Sequence, residues 1–466
     1  MGSLPALDHD LLCRYDRPGP RYTSYPTALQ FTEAFGEADL RRHIARSNAD
    51  PIPRPLSLYV HVPYCFMPCF FCGCNRIITR DLRKGERYVE HLLLEIERVS
   101  PLFARDRDVL QVHLGGGTPN FLRPAQLGRL LSNLARNFCL DSRPDRDFSI
   151  ELDPRFVERG DIQELAGFGL NRASLGVQDF DSDVQRAVNR LQSVEQTLAV
   201  IGACREHGFR SVNVDLIYGL PRQSVAGFSR TLDTVIEARP DRMAVYGYAH
   251  LPALFKAQRP LNATDLPDAT TRLALLELAI GKLTAAGYLH IGLDHFALPD
   301  DDLALAQARG TLHRNFMGYT THAECDLVGL GVSAISRIGD SYSQAPRDVA
   351  GWELALEGGR LPVWRGLELS EDDVIRADVI RQLMCNGRIE VRDVERRHGI
   401  DFQAYFQDSW QELEQLAGDG VVAVGESAIA ATSRGRYLLR IIAMCFDRYL
   451  QPGRNPGRTA TYSAAI

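Results

Sequence analysis

Residues 59–75 read YVHVPYCFMPCFFCGCN: an apolar strand, Leu58 to Val62, is stopped by Pro63 and opens into a loop carrying Cys65, Cys69, Cys72 and Cys74. Three of the thiols follow C-x3-C-x2-C. That spacing lets a short irregular loop wrap one corner of a cubane and offer three thiolates to three irons, leaving the fourth iron open. Soft sulfur ligands also suit zinc and Cu(I). Structural zinc sites, however, pair two short knuckles across a longer segment, and no second knuckle follows here. A disulfide framework belongs to oxidising compartments, and no signal peptide is evident. The spacing therefore favours a [4Fe-4S] cluster over zinc or disulfides. Cys74 stands outside the triplet and is left unassigned.

Downstream of the loop, short apolar strands alternate with helical stripes. Strands are expected at Val109 to Leu114, Phe148 to Leu152, Arg172 to Val177, Ser211 to Leu216 and Met243 to Tyr248. Between them Val89, Leu92, Leu93, Ile96 and Val99 make one face of a helix. Similar stripes run through Leu127 to Phe138, Val194 to His207, Phe228 to Ala238 and Leu273 to Ala286. Three helices end in glycine followed by an apolar residue, at Gly169-Leu170, Gly208-Phe209 and Gly287-Tyr288, the pattern of a left-handed helix stop. Repeated βα steps of this kind predict parallel strands with helices outside, as a doubly wound sheet or a barrel. Ligands in such folds gather at the C-terminal ends of the strands.

Those ends carry chemistry. Leu114 runs into Gly115-Gly116-Gly117-Thr118-Pro119, where missing side chains let backbone groups approach a ligand. Glu151 and Asp153 end the third strand, Gln178 and Asp179 the fourth, and Asp215 the fifth. Taken singly, each is as well explained as a turn, a cap or an ion-pair partner; their shared position is what marks them. Two other patterns are set aside. Gly329-x-Gly331-x-x-Ala334 matches a dinucleotide fingerprint but is expected to lack a preceding strand. His290, Asp294 and His295 lack a partner segment for a metal and are read as hydrogen-bonding residues.

The chain has 466 residues and a formal net charge of -6. That charge gives no footprint for nucleic acid. No apolar run reaches the ~18 residues a membrane span needs, so a cytoplasmic protein is expected. Cys13, Cys139, Cys204, Cys325, Cys385 and Cys445 show no metal-ligand spacing and are expected as small buried hydrophobes. The boundaries read as an N-terminal extension over residues 1–54, a catalytic domain over 55–365, and a mainly helical domain over 366–466. In the extension, a helix is expected within Glu33 to Ala49, and the aromatic segment Gly19 to Ala28 reads as a strap or lid. In the last domain, Ser370 with Asp373 makes a capping box. Three helices, a hairpin and a final helix from about Arg434 to Tyr449 resemble a winged helix, read as packing rather than DNA-binding.

A cysteine triplet directly after a strand resembles the radical S-adenosylmethionine (SAM) superfamily. Its partial (βα)6 barrel fits the six strands starting at Leu58. By that resemblance Cys65, Cys69 and Cys72 are the cluster ligands, and the open iron chelates SAM for reductive cleavage to a 5'-deoxyadenosyl radical. The likeness is finer still. GPRYTSYPTA, YVHVPYCFMPCFFCGCN, VHLGGGTPNFL, SIELDP, RASLGVQDF, VNVDLIYGLP, YAHLP, DHFA and LHRNFMGYTT together resemble the bacterial oxygen-independent coproporphyrinogen III oxidases. The resemblance implies two SAM molecules. Tyr59, Gly116, Glu151 and Ile335 match positions for the one on the cluster. Phe71, Gly117, Thr118, Gln178, Arg190, Asp215 and Ala249 match positions for the second. It implies oxidative decarboxylation of two propionate side chains of a tetrapyrrole to vinyl groups, a flavodoxin-like or ferredoxin-like electron donor, and a monomer. A tetracarboxylate substrate calls for arginines; Arg21 and Arg314 are candidates on charge. Radicals need shelter from solvent, and Gly19 to Ala28 and Ile291 to Ser336 are the candidate covers. The related haem chaperones are shorter at the N-terminus and commonly carry an aromatic where Cys74 stands. A non-catalytic iron-sulfur sensor would not explain the SAM-site residues.

Overall fold

The computed structural model describes residues 8–450 and 462. They form two compact units. One comprises Phe31–Ala286 and Glu324–Glu368; the other takes the described residues of Met1–Gln30, Gly287–Ala323 and Leu369–Ile466.

The first unit is built on β1 (Leu56–Val62), β2 (Asp108–Gly116), β3 (Asp147–Leu152), β4 (Arg172–Gln178), β5 (Ser211–Tyr218) and β6 (Arg242–Gly247). All six are parallel and lie side by side in chain order. This is the expected (βα)6 arrangement. The longer helices between them are α1 (Arg83–Val99), α2 (Pro124–Asn137), α3 (Arg159–Gly167), α4 (Val194–Glu206) and α5 (Val225–Ala238). The three glycine stops take the left-handed backbone as read: Gly169, Gly208 and Gly287 have φ of +95°, +83° and +91°. The following Leu170 and Phe209 donate back to Leu165 and Cys204, closing the helix ends as a Schellman motif does.

On its other side β1 pairs in parallel with β7 (Asp326–Leu330), which leads into antiparallel β8 (Ile335–Ile338), β9 (Ser341–Gln344) and β10 (Arg365–Glu368). The expectation that Gly329 lacks a preceding strand is therefore corrected, since Gly329 lies within β7. A strand, not a helix, follows the glycines, so no helix N-terminus is offered to a pyrophosphate. The early helix, Glu37–Asn48, belongs to this unit and is tied to it by Arg42, which donates to Glu368 at 2.9 Å.

On α1 the buried stripe is Tyr88, Val89, Leu92, Ile96 and Val99, with Leu93 only half-buried and Glu95 unexpectedly in the core. Glu95 is 2% exposed and accepts from Gly331 N at 2.7 Å and Trp352 Nε1 at 3.2 Å. Burial dominates those two hydrogen bonds and pushes its carboxyl up to about 8. A raised carboxyl is protonated in the fold while the unfolded chain has already lost its proton. Its contribution is fully present below pH ~4.5 and is lost as pH rises through about 8. Glu95→Gln is expected to flatten this dependence, gaining on the order of 3 kcal/mol near neutral pH. Thermal midpoints of both proteins at pH 6 and pH 8 check it; parallel shifts would refute the assignment.

In the second unit, the capping box is present: Ser370 N donates to Asp373 Oδ2 at 3.0 Å and Asp373 N to Ser370 Oγ at 3.2 Å. Helices Glu371–Asn386, Val391–His398 and Trp410–Gly418 follow, with strands Val422–Val424 and Ala428–Ala431. Arg388–Glu390 adds a third strand to the hairpin. The last helix is shorter than expected: a 3-10 turn at Gly435–Leu438 leads into Leu439–Met444. The Gly19 to Ala28 segment lies in this unit, where Tyr22 donates to Asp447 at 3.0 Å and Arg440 donates to the carbonyls of Gly19 and Pro20. Cys204, Cys385 and Cys445 are buried as expected. Cys325 is only half-buried. Cys139 is exposed, contrary to expectation, with its thiol on Asp108 at 3.3 Å. The side chain of Cys13 lies outside the described residues.

Candidate active site at the cysteine loop

The first unit places a cavity of about 240 Å³ at the C-terminal ends of its strands. Cys65, Cys69 and Cys72 line it, and so do eight of the eleven residues matched to SAM. From the glycine turn and the first strand ends come Gly116, Gly117, Thr118 and Glu151; Phe71, Gln178, Arg190 and Asp215 complete the set. Tyr59, Ala249 and Ile335 are half-buried residues that do not line it.

Two thiols are deeply set: Cys65 is 8% and Cys69 9% exposed. Burial pushes the Cys65 thiol up to about 11, against the hydroxyl of Thr118, which donates to its sulfur at 3.3 Å. Arg190 Nη1 and Arg155 Nη2 point at the Cys69 sulfur from 3.5 and 3.7 Å. The Cys72 thiol is held well below the ordinary cysteine range, first by its contact with Cys74 and then by the Arg76 guanidinium. Sulfur-lined space surrounded by three guanidiniums suits a group of net negative charge, as a cluster carried by three thiolates is. The donor set therefore fits the expected group.

The glycine turn is packed too closely for side chains. A Cβ on Gly117 would lie 2.8 Å from the Pro63 carbonyl carbon and 3.0 Å from Tyr64 O. Gly116 has φ +117°, and a Cβ there would meet the His61 ring at 2.6 Å. Its N–H donates to Glu151 Oε2 at 3.0 Å. Desolvation opposes ionisation of Glu151, but His113, the Gly116 N–H and His61 outweigh it and hold the carboxyl below its ordinary value. Asp215 goes the other way. Desolvation first, then the charge of Glu151, push it up to about 6, while Ser174 and Asn213 donate to it at 3.1 and 2.8 Å. Two carboxyls facing one cavity are thus driven apart in proton affinity by their surroundings.

Gln178 reaches the cavity through a break in the ladder. The β4–β5 register shifts between Gly176 and Gln178, and Gln178 takes φ +70°, a left-handed conformation rare for a residue with a Cβ. Its neighbour Asp179 does not line the cavity. It is 2% exposed and accepts from Thr231 Oγ1 and Gln223 Nε2, both at 2.6 Å. Asp153 does line it, bound to Arg155 at 2.7 Å and Arg190 at 3.3 Å.

Several partners of the expected residues, His61, His113, Asn75 and Gln258, were not legible in advance. Tyr59 is engaged on β1: its hydroxyl meets His61 Nδ1 at 3.0 Å and its ring stacks on His113 at 5.8 Å. His61 Nε2 in turn meets Asn75 O at 3.0 Å, tying the strand to the far side of the cysteine loop. Gln258, 2% exposed, donates to the carbonyls of Phe71 and Ala249, each at 3.1 Å, and so joins two expected residues distant in sequence. Arg155 had a signal, since it lies two positions beyond Asp153 in ELDPRF. Gln258 had none. Of the residues set aside, His290 Nε2 bonds Leu293 O at 2.9 Å and Asp294 accepts from Arg21 at 3.0 Å.

A parallel βα fold with this cysteine loop at its strand ends defines a radical SAM protein, and residues 59–235 match the Radical SAM superfamily. Residues 369–438 match the HemN C-terminal domain. The oxygen-independent coproporphyrinogen III oxidase of Pseudomonas aeruginosa is 50% identical over 95% of this chain and 96% of its own length. That of Escherichia coli K12 is 47% identical over the full length of both. The solved structure of coproporphyrinogen III oxidase (HemN) from Escherichia coli, described as a radical SAM enzyme, superposes with a TM-score of 0.91 at 46% identity, covering 96% of this chain and all of that one. The chain belongs to the oxygen-independent coproporphyrinogen III oxidases. Its cofactors are a [4Fe-4S] cluster and SAM.

Proposed function

We infer that the chain oxidatively decarboxylates two propionate side chains of coproporphyrinogen III to vinyl groups, giving protoporphyrinogen IX without oxygen in haem biosynthesis. The observation that carries this is the meeting of the C-x3-C-x2-C thiols, the glycine turn and the strand-end carboxyls on one cavity, in a chain of that family. In this reading Cys65, Cys69 and Cys72 hold three irons. Gly116 and Glu151, with Tyr59 and Ile335, serve the SAM on the open iron. Phe71, Gly117, Thr118, Gln178, Arg190, Asp215 and Ala249 serve a second SAM. A [4Fe-4S] cluster held by these thiolates would supply the electron for reductive cleavage of SAM, and with it the hydrogen-atom abstraction at the carbon β to each carboxylate that lets CO2 and one electron leave as a vinyl group forms.

The chain's own residues prepare that chemistry. Arg76, Arg155 and Arg190 offset the negative charge gathered at the sulfurs. Thr118 donates to Cys65, a hydrogen bond that lowers the electron density on that ligand. Glu151, ionised and oriented by His113 and Gly116 N–H, offers an acceptor suited to an ammonium or hydroxyl. Asp215, its proton affinity raised by burial and by Glu151, is held in place as an acceptor from Ser174 and Asn213. Electrons come from a reduced flavodoxin-like or ferredoxin-like protein, and the chain works as a cytoplasmic monomer. No helix among the described residues is long and apolar enough to cross a membrane.

The test is anaerobic reconstitution with iron and sulfide, then reductant, SAM and coproporphyrinogen III. Protoporphyrinogen IX should accumulate with about two 5'-deoxyadenosines per product, one for each carbon radical required. Transfer of haem to an acceptor with no decarboxylation would sink the reading in favour of a haem chaperone.

A further inference from the structure

Within the first unit the cysteine loop comes to the surface beside Cys72. Cys65 and Cys69 are buried, whereas Gly73, next to the half-buried Cys72, is exposed and does not line the cavity. Two segments flank it. On one side a Cβ added to Gly73 would lie 3.1 Å from the Phe255 ring, and Gln258 donates to Phe71 O at 3.1 Å. On the other, Asn75 Nδ2 donates to Arg347 O at 2.9 Å. These contacts set three exposed cations, Lys256, Arg259 and Arg347, and the 56% exposed Leu254 around the emerging loop. None of the four lines the cavity. Among the described residues none of the three cations is ion-paired, unlike Arg83, Arg87 and Arg143, each of which grips a carboxylate. No Asp or Glu occurs in residues 60–80 or 249–262. Asp348, the acid beside Arg347, is turned to its own helix and accepts from Gly351 N at 2.7 Å. A basic patch thus rings the loop in a chain whose net charge is -6.

Electron transfer weakens steeply with distance, so a donor has to approach where a ligand sulfur lies nearest the surface. The two enclosed thiols give no such point; Cys72, through Gly73, does. Unpaired cations around it steer an acidic partner and fix its orientation, and Leu254 offers an apolar contact among them. We propose that Gly73, Leu254, Lys256, Arg259 and Arg347 form the docking surface for an acidic one-electron carrier protein, an assignment that rests on the electron-donor reading above. In each encounter the carrier's reduced flavin or iron-sulfur centre is oxidised by one electron, and the cluster on the three thiolates is reduced by one.

The test uses the reconstituted enzyme and an acidic flavodoxin. Calorimetric titration with the oxidised flavodoxin reads binding without turnover. The double variant Lys256→Glu with Arg347→Glu should bind at least ~10-fold more weakly than the parent. Parent affinity should fall as ionic strength rises from ~0.01 to ~0.15 M, which shortens the screening length from about 30 to about 8 Å. Leu254→Ser should weaken binding and leave that salt dependence in place. At limiting flavodoxin hydroquinone, 5'-deoxyadenosine formation by the double variant should fall by a similar factor; with dithionite as reductant it should equal the parent's. Thermal midpoints should match because the residues are exposed, and the neutral pair Lys256→Gln with Arg347→Gln should repeat the pattern at a smaller fold-change. Unchanged binding by the double variant, or an equal loss of SAM cleavage with both reductants, would overturn the docking surface. Absence of 5'-deoxyadenosine from the parent with dithionite would instead overturn the cofactor reading, whatever the flavodoxin titration shows.

Discussion

Cys65→Ala, Cys69→Ala and Cys72→Ala each abolish SAM cleavage, whereas Cys74→Ala leaves the visible absorbance of the reconstituted cluster in place. The expectation follows from where the four sulfurs sit. Cys65 and Cys69 are nearly enclosed, and each sulfur already faces a donor: the Thr118 hydroxyl for Cys65, the Arg155 and Arg190 guanidiniums for Cys69. With one of the three removed, two thiolates in an open-sided loop do not hold a cubane, and no other cysteine in the loop is equally enclosed. Cys74 is exposed; its thiol hydrogen-bonds the Cys72 sulfur, and its backbone N–H, which donates to that sulfur at 3.4 Å, survives loss of the thiol. Iron and sulfide content, absorbance and 5'-deoxyadenosine release separate the cases. Release by any of the three triplet variants, or a colourless Cys74→Ala protein, would show the ligand set to be wrong.

Asp153→Ala is the substitution expected to cost most in stability near the site, about 3–5 kcal/mol. The Asp153, Arg155 and Arg190 side chains are 8%, 7% and 7% exposed, so solvent screens them little. Burial opposes ionisation of Asp153, yet Arg190 and then Arg155 hold its carboxyl below the ordinary range. Removing it leaves two guanidiniums facing each other in the cavity wall, and the cysteine loop that Arg190 and Arg155 brace through Cys69 should loosen too. Arg87→Ala is the control. Its side chain is 59% exposed and grips Glu353 at 2.7 Å on the surface, where such a pair is worth under ~1 kcal/mol. Denaturant midpoints of the two variants beside the parent decide the matter. If Asp153→Ala unfolds within ~1 kcal/mol of the parent, the buried ion group is not what holds this wall.

Periodic features were read well because they follow from local rules. The six parallel strands, the helices between them and the glycine stops at Gly169 and Gly208 each depend on a few neighbouring residues: a two-residue alternation, a 3.6-residue stripe, a residue able to take positive φ. The strand Asp326–Leu330 was missed because it has no helical partner of its own and is stabilised by pairing with Leu56–Val62, far away in sequence. Glu95 looked like an exposed position of an amphipathic helix, and only the arrival of Gly331 N and Trp352 Nε1 made a buried carboxyl tolerable. Cys139 was expected inside on residue type alone, but it lies at a strand end where its neighbours leave it open.

The amino-acid sequence by itself determined the loop with its three thiols, the glycine turn and the order of strands whose ends meet there, since covalent spacing and backbone preference act over a few residues. Only the tertiary structure decided that Asp153 faces two arginines while Asp179 turns away, and that Gln258 bridges Phe71 and Ala249. Which partner a polar group finds depends on chain segments brought together by burial, and that pairing is invisible until the core has closed around it.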